Sequence, residues 1–84
     1  MSKSYKRVLV TGANGLLGQK LTDYFAGDKN YDLLATARQP TPYNQKASFG
    51  YISLDMLDRQ AVKELIWNFE PDFVVNAGAY TNVD

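Results

Sequence analysis

Three evenly spaced glycines, Gly12, Gly15 and Gly18, separate a short β-branched run from a long amphipathic one, and this arrangement constrains the fold more than any other feature of the chain. The segment Arg7–Thr11 has an apolar, β-branched centre, is too short for a helix and stops at Gly12, which predicts a buried strand. Past the glycine turn, Leu16, Leu17, Leu21, Tyr24 and Phe25 recur at helical spacing until Gly27, a residue suited to a left-handed helix stop. A helix that starts directly on such a turn points its first N–H groups past the end of the strand.

The remainder of the chain continues the alternation. Asp32–Ala37 is a second apolar run, reached through the short Gly27–Tyr31 turn and ending at Arg38. Gln39–Ser48 holds Pro40, Pro42 and Asn44 with no apolar period, a loop just long enough for a parallel return, and Gly50–Leu54 reads as a third strand. Asp58 suits the N-cap of a helix in which Val62, Leu65, Ile66 and Phe69 follow the i, i+3, i+4, i+7 pattern, and Pro71 stops that helix after Glu70. Trp67, Phe69 and Tyr24 read as core or sheet-covering residues. Phe73–Asn76 is a fourth strand. The sequence of elements places the chain in the α/β class as the first half of a Rossmann-like, doubly wound parallel sheet. Right-handed crossovers give the strand order 3-2-1-4 and put the two helices on opposite faces.

Composition bounds what this sheet can do. The chain has 84 residues, 45% hydrophobic and 21% charged, a balance that favours folding over disorder but is short for a complete enzyme. The end at Asp84, just after a strand, reads as a truncation. Nine basic residues offset nine acidic ones with no basic cluster, so nothing suggests nucleic acid or acidic lipid as a partner. With no Cys and no His, thiol nucleophiles, disulfides, imidazole or thiolate metal sites and His-based triads are excluded. The longest aliphatic run, Val8 to Val10, is far below the roughly 20 residues of a membrane span, and Met1–Arg7 lacks a signal-peptide core, which points to the cytoplasm.

Strands one and four are neighbours whose connections leave in opposite directions. Their carboxyl ends, Gly12–Gly18 and Asn76–Thr81, should therefore open the crevice in which such sheets bind ligands. Gly12 can take a positive φ, Gly15 lets backbone approach a pyrophosphate, and Gly18 lets the helix pack on the strand. Gln19 and Lys20 follow Gly18 where a mononucleotide P-loop needs Lys and then Ser or Thr, so a dinucleotide is favoured. Arg38, at the end of the second strand, occupies the position that meets the adenosine ribose. An acid there bonds the NAD hydroxyls, whereas a guanidinium forks onto a 2′-phosphate, so NADP(H) is preferred and NAD(H) remains open. Asp55, after the third strand, suits either a solvated turn carboxylate or an acceptor for the adenine amino group, with the Met56 backbone N–H facing a ring nitrogen in the second case. The small residues Asn76 to Ala79 let a flat ligand lie close, with Tyr80 and Thr81 lining the same mouth.

The blocks VLVTGANGLLGQ and PDFVVNAGAYTNVD resemble those of the extended short-chain dehydrogenase/reductase superfamily, and within it the dTDP-4-dehydrorhamnose reductases. By position, the resemblance implies that Gly12, Gly15, Leu16, Leu17 and Gly18 hold the pyrophosphate and that Arg38 holds the adenosine ribose or its phosphate. It further implies that Asp55 and Met56 meet adenine and that Ala79, Tyr80 and Thr81 lie along the cofactor. It implies reduction of the C4 ketone of a nucleotide-linked deoxysugar, in making L-rhamnose for cell-surface polysaccharide, with a Tyr of a YxxxK motif as proton donor. None of the six tyrosines has Lys four residues on, so the chain holds no catalytic residue and by itself should give no turnover. The proton donor and the substrate domain are expected after Asp84. Sugar epimerases and dehydratases, and non-catalytic dinucleotide-sensing relatives, share these blocks as alternatives. An unpaired fourth strand would leave the fragment open to self-association.

Overall fold

The computed structural model describes residues 5–44 and 49–80, with Ala79 and Tyr80 described for their backbone only. Four strands, β1 (Lys6–Thr11), β2 (Tyr31–Ala37), β3 (Gly50–Ser53) and β4 (Phe73–Asn76), form one sheet in the order β3-β2-β1-β4. Every pairing is parallel, with Val8 opposite Leu33 on one side and Phe73 on the other. Two helices, α1 (Leu16–Ala26) and α2 (Arg59–Phe69), carry the crossovers β1 to β2 and β3 to β4. A short 3-10 turn, Ala77–Tyr80, follows β4. This is the α/β architecture and strand order expected from the sequence.

The alternation of side chains along β1 shows how the two faces are used. Val8 and Val10 point to the α1 side, where they form the core with Ala13, Leu33 and Ala35, and Phe25, Tyr31, Tyr51 and Val75 pack around them. Arg7, one residue away and so on the opposite face, donates from its guanidinium to the Phe69 carbonyl at 2.8 Å. Its charge also sits 5.7 Å from the centre of the Phe69 ring. The helices therefore lie on opposite faces, as topology requires. They are held differently: α1 buries Gly18 and Thr22 against the sheet, whereas no residue of α2 is buried.

Three sequence expectations need correction. Gly27 is right-handed, with φ −82°, and provides no left-handed stop. The chain reverses instead by a tightened last bond, Asp28 N–H to the Phe25 carbonyl, and by the Asp28 carboxylate accepting from the Asn30 N–H at 2.9 Å. The left-handed residue is Glu70, with φ 53°, where the following Pro71 disfavours the right-handed helical region. Finally, Trp67 is 82% exposed and Tyr24 64% exposed, so neither is core; of the three aromatics assigned to covering the sheet, only Phe69 is partly buried. Helical spacing marks the side a residue would bury, and among the described residues that side of α2 is only partly covered, with Val62, Leu65 and Phe69 half-buried.

Candidate cofactor site

The carboxyl ends of β1 and β4 meet at the glycine turn. Gly12 takes φ 71°, and a Cβ there would fall 2.3 Å from the Gly78 nitrogen, so the two strand ends touch backbone to backbone. Beside them the Thr11 hydroxyl and the Asn76 amide oxygen, register partners across the seam, are 2.9 Å apart. Gly18 is needed for a different reason: its Cβ would fall 2.1 Å from the Gly12 carbonyl, so α1 can approach β1 only with hydrogen at this position. Gly15 is unlike either. Its φ of −76° suits any residue, so its backbone conformation does not call for glycine.

Gly15 is the N-cap of α1 and caps it with no side chain. The first helical bond is Gln19 N–H to the Gly15 carbonyl, so the N–H groups of Leu16, Leu17 and Gly18 have no acceptor within the helix. At α2 the contrast is direct, because the Asp58 carboxylate accepts from the Ala61 N–H at 3.1 Å. Of the two helix starts, one is closed by its own carboxylate and the other is open at the end of the sheet. The open one combines unpartnered donors with the positive end of the helix dipole, the chemistry that holds a phosphate.

An open cleft of about 530 Å³ lies over this turn, within the range of small-molecule sites. Gly12, Gly15, Arg38, Asp55, Met56, Asn76 and Gly78 all line it, so seven of the residues singled out from the sequence come together around one space. Asn76 and Gly78 close its β4 side. Leu16, Leu17 and Gly18 are not among the residues lining the cleft: the Leu16 and Leu17 side chains are exposed at the helix start and Gly18 is buried in the packing, so what these three offer a ligand is their backbone N–H groups. Ala79 and Tyr80 continue from Gly78 in the 3-10 turn, and Thr81 lies outside the described residues.

The charged groups of the cleft differ in how far they are committed. The Asp55 carboxylate accepts from the Leu57 N–H at 2.9 Å, a local turn that fixes its position after β3. The Arg38 side chain is exposed and makes no hydrogen bond or ion pair among the described residues. Its backbone is held, since the Ser53 hydroxyl donates to the Arg38 carbonyl at 3.1 Å and the Leu54 N–H bonds to the Ala37 carbonyl at 2.8 Å. The outcome is a fixed base carrying a free guanidinium.

Asn14, Gln39, Leu54 and Leu57 also line the cleft and were not singled out from the sequence. Leu54 was legible as the end of an apolar run. Asn14 and Gln39 were not, because their role depends on hydrogen bonds between segments 25 residues apart, which no periodicity records.

Residues 6–84 match the family model described as the RmlD substrate binding domain. The chain belongs to that family. This RmlD-family chain is similar to the dTDP-4-dehydrorhamnose reductase of Aggregatibacter actinomycetemcomitans, at 32% identity over 78 residues, covering 93% of this chain and 22% of that protein. It is similar also to the methionine adenosyltransferase 2 subunit beta of Danio rerio, at 35% identity over 80 residues, covering 95% of this chain and 23% of that protein. Among solved structures it resembles L-threonine 3-dehydrogenase from Trypanosoma brucei, with a TM-score of 0.74 and 27% identity over 84% of this chain and 23% of the other. The chain thus spans less than a quarter of the length of these curated relatives.

Proposed function

We propose that this chain supplies the adenosine-diphosphate side of a nicotinamide-dinucleotide site in a nucleotide-sugar oxidoreductase of the cytoplasm, one that reduces the C4 ketone of dTDP-4-dehydrorhamnose with NADPH. The observation that carries the reading is the uncapped start of α1, whose Gly15 lines the same cleft as Arg38, a residue with its guanidinium uncommitted among the described residues. Membership of the RmlD family and the likeness to a dTDP-4-dehydrorhamnose reductase support the choice of substrate class.

Each residue has a distinct task. The N–H groups of Leu16 and Leu17 donate to diphosphate oxygens, where the dipole of α1 adds a favourable field. Arg38 forks onto the 2′-phosphate of the adenosine ribose, and its delocalised charge cannot accept the hydroxyl protons that an acid would take from NAD. Asp55 accepts from the adenine amino group while Met56 N–H faces a ring nitrogen. The nicotinamide, when bound, supplies the hydride. The proton for the reduced oxygen comes from a residue outside this chain, since no Tyr here has Lys four positions on. These 84 residues bind and orient the cofactor.

Calorimetric titration of NADPH and NADH against the chain tests the reading. Tighter binding of NADPH, with the preference abolished by Arg38→Ala, is the expected result; equal affinities, or a preference that Arg38→Ala leaves intact, would overturn it. A second reading is favoured by one observation: identity to a subunit of a methionine adenosyltransferase is at least as high as identity to the reductase. On that reading the same cleft senses a dinucleotide within an assembly. A protein containing this segment that binds NADPH yet leaves the 4-keto sugar unreduced would favour it.

A further inference from the structure

We propose that Asn14 is a positioning residue for cofactor choice, tying the Arg38-bearing loop to the glycine turn so that diphosphate and 2′-phosphate are read by one rigid unit. The inference rests on the NADPH reading above and deepens it. Asn14 lies between Gly12 and Gly15, yet its side chain serves the loop that follows β2. Its amide nitrogen donates to the Gln39 side-chain oxygen at 3.1 Å and to the Thr41 carbonyl at 3.0 Å. Its oxygen accepts from the Tyr43 N–H at 2.8 Å. A single short side chain thus makes three bonds to a segment that begins one residue after Arg38.

The same loop is fixed from two further directions. On its β3 side, the Tyr51 hydroxyl donates to the Gln39 carbonyl at 2.6 Å. On its α1 side, the Tyr43 hydroxyl donates to the Asp23 carboxylate, with the Gln19 carbonyl 3.3 Å away. Gln19 in turn donates from its side chain to the Asn14 carbonyl at 2.8 Å, closing a ring of contacts through the first turns of the helix. A turn residue with only a local role would bond to its own neighbours, as the Asp55 and Asp28 carboxylates do. Asn14 bonds across 25 to 29 positions instead.

The physical consequence is preorganisation. The segment 39–43, held by these bonds before the ligand arrives, loses little conformational freedom on binding, so the contact between Arg38 and a 2′-phosphate adds to affinity almost undiminished. NADH lacks that phosphate and gains little from the fixed loop. Asn14→Ala should therefore lower NADPH affinity by roughly five- to tenfold while leaving NADH affinity within about twofold. In the ligand-free protein the Tyr43 amide should exchange faster, which reports the loss of the Asn14 bond independently of any cofactor.

Tyr43→Phe removes the hydroxyl bonds of the loop from outside the cleft and should lower the NADPH to NADH affinity ratio in the same direction. It decides the matter alone if Asn14→Ala fails to fold. A ratio equal to that of the unaltered chain in either folded variant overturns the inference. Arg38→Ala, measured alongside, shows which level has failed: if it lowers the ratio while the loop variants do not, the NADPH reading stands and the clamp is wrong. If it too leaves the ratio unchanged, both fall.

Discussion

At the scale of single residues, the glycines of the turn are not interchangeable, and the distances separate them. A methyl group at Gly18 would overlap the Gly12 carbonyl and the Ala13 backbone, neither of which has freedom to move. Gly18→Ala should therefore cost about 1–3 kcal/mol, as overpacking does in a tight core. A Cβ at Gly78 would stand 3.5 Å from its nearest neighbour, an ordinary contact, so Gly78→Ala should fall within about 0.5 kcal/mol of the parent by urea denaturation. Tyr43 gives a pH-dependent counterpart. Loss of hydration raises its phenol to about 12, reinforced by the hydrogen bond to Asp23 and by the charge of that carboxylate. Because the folded value is raised, this stabilisation should be complete below the free phenol's pKa near 10 and fade as the pH climbs toward about 12. A phenolate absorbance titration, compared with that of Tyr43→Phe, in which the Tyr43 phenol ionises near the ordinary value of about 10 would contradict the contact. Burial also lifts Tyr51, against the opposing effect of the Asn14 amide beside it.

At the scale of elements, α2 depends on very few anchors. With no buried residue of its own, it is tied to β1 by Arg7, whose guanidinium bonds the Phe69 carbonyl and lies 3.7 Å from the Asp32 carboxylate through Nε. Arg7→Ala should destabilise the chain by about 1–2 kcal/mol, the partly exposed ion pair adding little, and should quicken amide exchange in α2 far more than in α1. Every strand and both helices were legible in the sequence, because β-branched runs bounded by turn residues and the 3.6-residue spacing act locally. The sparse burial of α2 was not, since spacing identifies an apolar side without saying what covers it. The left-handed residue was misplaced for a similar reason: Gly27 permits that conformation, but the Asp28 turn makes it unnecessary, whereas Pro71 steers Glu70 there. Seven cleft residues were legible from strand ends and turn position, while the roles of Asn14 and Gln39 became visible only from the hydrogen bonds between the glycine turn and the segment after β2.

At the scale of the whole molecule, the sheet is unevenly covered. Phe73 and Val74, adjacent on β4 and therefore on opposite faces, are 52% and 50% exposed, and among the described residues β4 pairs only with β1. An apolar, unpaired strand edge of this kind invites pairing. Sedimentation should show an apparent mass that rises with concentration, and Val74→Lys should suppress the rise; a monomer at all concentrations would show that the edge is otherwise protected. No helix among the described residues is long and apolar enough to cross a membrane. The two helix starts carry a last consequence for the molecule as a whole. Placing a carboxylate at the head of α1, by Gly15→Asp, should make that helix resemble α2 and raise the melting temperature by about 2 °C, while driving away the anion that the bare amides await. Folding and ligand capture thus compete for the same few atoms, and selection for heat resistance alone would silence the protein.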